Sequence, residues 1–132
     1  MTNVIVSGHG GYAAGMQKSM SMLFGDPQGF QYVDFFPEDG TEGLEKKFHE
    51  ALLACTNNEV LFCCDLLGGT PFRIAATICA ANEHMMVAAG INLMAFAEIS
   101  MNLQMPVREL TKLAVDTTRM SVGCFPPLIE DE

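Results

Sequence analysis

Asn3-Val4-Ile5-Val6-Ser7-Gly8-His9-Gly10-Gly11-Tyr12 is the stretch that decides the fold. A short β-branched run stops at glycines, and a helical spacing of apolar residues (Ala13, Met16, Met20, Leu23, Phe24) follows. This is a strand handing over to a helix, with one histidine at the turn. In open α/β sheets ligands bind beyond the carboxyl ends of the strands, and histidine is the side chain whose ordinary pKa lies nearest neutrality. His9 is therefore the first candidate for chemistry.

The remaining chain repeats the alternation. Gly25-Asp26-Pro27 stops the first helix, and Phe30 to Phe36 reads as a second strand rich in aromatics. A helix follows with Leu44, Phe48, Ala51, Leu52 and Cys55 inward and Thr41 as its expected N-cap. Val60 to Cys64 is a continuous apolar run, as expected of a strand covered on both faces, and it ends at Asp65. Gly68-Gly69-Thr70-Pro71 then starts a helix, with Thr70 read as a hydroxyl N-cap. Met85 to Ala89 is the fourth strand, Ile91-Asn92 leads into an apolar helix through about Leu103, and Pro106 opens the last helix. Arg119 to Phe125 is expected to be a short fifth strand. The fold class is thus α/β: a single doubly wound domain whose mainly parallel four-stranded sheet has the order 2-1-3-4, with helices on both faces. Residues 1–125 form that domain and residues 126–132 an acidic tail.

With 132 residues the chain has room for one domain and a real core. Sixteen acids against seven bases give a formal charge of −9, which makes nucleic acid a poor partner and a basic protein a suitable one. The five cysteines show no zinc spacing and read as small buried hydrophobes of a reducing cytoplasm. No apolar stretch reaches the length of a membrane span, nor does the N-terminus read as a signal peptide, so a cytoplasmic protein is expected.

Strand order sets the chemistry. With strands one and three adjacent, about 4.8 Å apart, His9 and Asp65 face each other at the switch point. A carboxylate on Nδ1–H fixes the tautomer and leaves Nε2 a free lone pair, as a nucleophilic histidine requires. The helix starting at Thr70-Pro71 aims unpaired amides and its positive dipole end into the same crevice. Gly68 and Gly69 let the backbone approach an anion there, while Gly10 and Gly11 offer amides from the other side. Together these parts point to a phosphohistidine.

Gly8-His9-Gly10-Gly11 after the first strand, with Asp65-Leu66-Leu67-Gly68-Gly69-Thr70-Pro71-Phe72, resembles the enzyme IIA domains of the mannose family of the bacterial sugar phosphotransferase system, the mannose/fructose/sorbose/N-acetylgalactosamine group. The resemblance covers nearly the whole chain in element order. It implies that His9 carries the phosphoryl group, Asp65 orients it and the Thr70 hydroxyl lies beside it. It further implies phosphoryl transfer from HPr to enzyme IIB, on a separate protein, and so indirectly to the IIC/IID permease. Homodimers that exchange a C-terminal strand, here within Arg119 to Phe125, are also implied. A phosphohistidine donor needs no metal or nucleotide cofactor. Leu67 stands where the family often has Trp, and Thr70 where it often has Ser.

One motif competes. Gly8-x-Gly10-x-x-Ala13, with Asp34 ending the second strand, matches a relaxed dinucleotide fingerprint in which that acid would bind a ribose hydroxyl. A small flavin- or nucleotide-binding protein is therefore the alternative, and a non-catalytic regulatory module of the same fold is a third.

Overall fold

The computed structural model describes residues 1–128, so the acidic residues of the expected tail, Glu130 to Glu132, lie outside the described residues. Its elements are β1 (Asn3–His9), α1 (Tyr12–Phe24), β2 (Phe30–Phe35), α2 (Gly40–Leu53), β3 (Val60–Cys64), α3 (Thr70–Ala80), β4 (Met85–Ala89), α4 (Leu93–Ser100) and α5 (Val107–Met120). The sheet order is β2-β1-β3-β4, and every strand pair is parallel. Such a sheet must bury both faces, and alternation along the central strands divides the core accordingly. Val4, Val6, Leu61 and Cys63 pack with Met20, Phe96, Ile99 and Leu110 from α1, α4 and α5. Ile5, Phe62 and Cys64 pack with Leu44, Phe48, Ala75 and Ile78 from α2 and α3. Six consecutive residues of β1 are buried before the chain emerges at His9.

Several expectations are corrected. The segment 119–125 forms no strand: α5 runs on to Met120, and no strand follows β4 among the described residues. The helical register prevails because Arg119 complements the negative end of α5 and the Ser121 hydroxyl donates to the carbonyl of Thr117. Thr41 is not the cap of α2 but its second residue: the helix begins at Gly40, two residues earlier than expected, with Asp39 at the cap position. The Asp39 carboxylate does not cap; it accepts from the Phe36 amide and from Lys47 Nζ. Nor is Thr70 a cap. Gly69 holds that position in extended backbone, Thr70 is the first residue of α3 and Pro71 the second, where a missing N–H costs no helical bond. The second strand ends at Phe35 and α4 at Ser100, each shorter than expected.

Candidate functional site

The site lies where β1 and β3 end side by side. Asp65, the residue after β3, turns its carboxylate towards His9, and Oδ2 accepts both the His9 backbone amide and the ring Nδ1–H, each at 2.9 Å. Partial burial pushes this carboxyl upward, but the two His9 hydrogen bonds and the charge of that ring outweigh it and hold Asp65 below its ordinary value. An ionised carboxylate only accepts, so Nδ1 carries a proton, and in the neutral form of the ring Nε2 then keeps its lone pair. The expected pairing of His9 with Asp65 is therefore present in geometry. The imidazole is 46% exposed and the carboxylate 18%, which puts the free nitrogen within reach of another macromolecule.

Two glycines make the approach possible. A methyl on Gly8 would lie 2.5 Å from the Tyr12 ring and 2.8 Å from Asp65 Cγ, so only hydrogen fits between those side chains. At Gly69 a methyl would stand 3.1 Å from His9 Cε1. Gly10 and Gly68 have φ of +59° and +79°, the left-handed region that glycine enters without cost. Burial, followed by the nearby Cys63, Asp65 and Cys64, pushes the Tyr12 hydroxyl up to about 12, so it stays protonated beneath the site.

The amides around His9 are not equivalent. That of Gly10 donates to the Phe35 carbonyl at 2.7 Å and is already used. Gly11 has no hydrogen-bonded acceptor for its amide among the described residues. On α3, Gly69 donates to the Leu66 carbonyl, whereas the amides of Gly68, Thr70 and Phe72 have no backbone acceptor among the described residues. The free amides beside His9 are thus those at the start of α3, together with that of Gly11.

Asp34 decides between the two readings of the glycine turn. Its Oδ1 accepts from the amides of Ala13 at 2.9 Å and Ala14 at 3.2 Å, so it occupies the N-terminus of α1. A dinucleotide would need those amides for its pyrophosphate and that carboxylate for its ribose. Both are engaged with each other.

A model of the EIIA-man family, described as "PTS system fructose IIA component", matches residues 3–112. The chain belongs to that family.

Among relatives of this EIIA-man chain, the fructose-specific EIIA component of Bacillus subtilis is 39% identical over 75% of this chain and 68% of its own length. The mannose-specific EIIAB component of Escherichia coli K12 is 36% identical over 92% of this chain, which spans only 39% of that longer protein. In three dimensions it is similar to the mannose/sorbose-specific IIA subunit from Enterococcus faecalis, with a TM-score of 0.86, 27% identity and coverage of 96% and 98% of the two chains. Membership gives this EIIA-man chain a phosphocarrier role in sugar uptake by the phosphotransferase system, and among its described residues no helix is long and apolar enough to cross a membrane.

The other histidines lie elsewhere in this EIIA. His49 faces Glu45 on the exposed side of α2. His84 precedes β4 at the opposite end of the sheet and contacts Glu59 at 3.1 Å. Sequence reasoning missed Phe35, which is paired with His9 in the β1–β2 register and whose ring lies 5.7 Å from the imidazole at 71°. It also missed the packing role of Gly8 and the use of Asp34 as a cap. Only the place of Phe35 near the end of the second strand carried a signal, and it gains meaning from the register that sets Phe35 opposite His9.

Proposed function

We propose that this protein accepts a phosphoryl group from phospho-HPr on His9 and passes it to enzyme IIB. The observation that carries the reading is the 2.9 Å contact of His9 Nδ1 with Asp65 Oδ2 beside the unoccupied amides at the start of α3. The Nε2 lone pair attacks phosphorus in line; the P–N bond to the donor histidine breaks, and its electron pair returns to the donor ring. Phosphoryl charge spreads over the equatorial oxygens, which the amides of Gly11, Gly68 and Thr70 and the Thr70 hydroxyl stabilise. Gly69 supplies the close backbone approach. Asp65 balances the imidazolium formed on His9 until an acceptor on IIB takes the group by the reverse chemistry.

The same reading places the protein in the cytoplasm, with IIB as its only link to the IIC/IID permease, and as a homodimer. The exposed side chains of Val122, Phe125 and Leu128 beyond α5 supply apolar area for a second copy, and sedimentation equilibrium measures that mass. Phosphotransfer is tested by incubation with enzyme I, HPr and phosphoenolpyruvate, followed by intact mass and acid lability. A gain on the wild type that is absent from His9→Ala is expected. No gain on the wild type, or an equal gain on both, overturns the proposal.

A further inference from the structure

The Asp65 bond restrains one atom of the His9 ring. Its plane can still pivot about that bond, because the last torsion of histidine is soft and nearly half of the side chain faces solvent. In-line attack needs the Nε2 lone pair aimed as well as present. Contacts away from Nδ1 must supply that aim.

Two neighbours can do so, Phe35 at the end of β2 and Gly69 at the start of α3, the helix that follows β3 on the other side of β1. On the β2 side, the Phe35 ring meets the imidazole at 71°, with centroids 5.7 Å apart, an edge-to-face arrangement. Phe35 is a firm support: its carbonyl is bound by the Gly10 amide, and its side chain packs against the core between the sheet and α2 and α3. On the other side, Gly69 turns only hydrogen towards Cε1, the ring carbon between the two nitrogens, and a Cβ there would stand 3.1 Å from it. Gly69 is itself fixed, by its amide on the Leu66 carbonyl and by the Arg73 amide on its own carbonyl.

We propose that Phe35 and Gly69 clamp the His9 imidazole from opposite sides, which makes Phe35 a positioning residue for Nε2. The inference rests on the phosphocarrier reading for its consequence in catalysis, but the clamp is a property of the resting protein. Phe35 acts through the ring it holds; phosphorus and its oxygens are left to the α3 amides.

Three variants test it. Phe35→Leu keeps apolar bulk but loses the flat ring, Phe35→Tyr restores the ring, and Gly69→Ala adds a methyl against Cε1 in a backbone conformation that alanine accepts. The first readout is nitrogen-15 NMR of the His9 ring, which reports tautomer and mobility without any phosphoryl donor. The second is phosphorylation by phospho-HPr at limiting and saturating donor.

For Phe35→Leu and Gly69→Ala, mixed-tautomer or exchange-broadened ring signals are expected, together with about a tenfold fall in the saturated rate. Phe35→Tyr is expected to stay within about twofold of wild type, and half-saturation by HPr to stay within about twofold in all three. Unchanged ring signals in Phe35→Leu overturn the clamp, as does a defect confined to half-saturation, which would make Phe35 a docking contact. Should Phe35→Leu not fold, an unchanged ring signal in Gly69→Ala overturns it instead. If the wild type takes no phosphoryl group, the phosphocarrier reading falls while the NMR arm still decides the clamp.

Discussion

Asp65→Asn isolates what the carboxylate does, because the substitution keeps the shape and removes the charge. In the wild type, Oδ2 takes two hydrogen bonds from His9 while Oδ1 is buried with no partner among the described residues. If the new amide places its oxygen at the Oδ2 position, its NH2 group falls where Oδ1 was and is buried without an acceptor. If it turns the other way, the NH2 faces the His9 amide and Nδ1 must become an acceptor, which moves the ring proton to Nε2 and removes the lone pair.

Either outcome weakens the site. An unsatisfied buried donor costs about 1–3 kcal/mol of stability. Charge-assisted bonds contribute about 1.5–3 kcal/mol, so their loss as the imidazolium forms slows transfer by about ten- to a hundredfold. The lower half of that range is the better expectation, since the His9 ring is 46% exposed and solvent screens its attraction to the carboxylate. Quenched-flow transfer from phospho-HPr, read by intact mass, measures the rate, and nitrogen-15 NMR reads the tautomer. A rate within about twofold of wild type, with Nδ1 still protonated, would refute the orienting role and leave Asp65 a structural residue.

Gly8→Ala should destabilise the fold by about 1–3 kcal/mol, since its methyl would overlap the Tyr12 ring and Asp65; the midpoint of urea unfolding measures this. Asp34→Ala should cost about 1–2 kcal/mol through the two α1 amides it leaves bare, again read by urea unfolding. Calorimetry of the wild type with NAD or FMN should register no binding, and tight binding would restore the nucleotide reading. Because Asp65 is held below its ordinary value of 3.8, the unfolded chain takes up its proton first on acidification. Its contribution to stability is whole above that value and is lost as pH falls through the lower folded value. Asp65→Asn should therefore unfold with a shallower pH dependence below about pH 4, measured by circular dichroism.

Periodicity and punctuation in the sequence determined the four strands and the helices between them, and the doubly wound arrangement expected of that alternation carried the order 2-1-3-4. They also placed His9 and Asp65 at neighbouring strand ends. Local patterns do not settle competitions between hydrogen-bond partners. Asp34 has the same sequence signature whether it awaits a ribose or caps α1, and only the folded chain, by bringing it to the amides of Ala13 and Ala14, decided. Gly10 and Gly11 look alike in the turn, yet the Phe35 carbonyl claims the amide of Gly10. At the C-terminal end, Arg119 to Phe125 carry enough apolar character to read as a strand; continued α5 hydrogen bonding instead carried the helix to Met120 and capped it at Ser121. Phe35 lies far from His9 in sequence and beside it in space. Strand register sets that proximity, and register is a relation between segments that no single segment encodes.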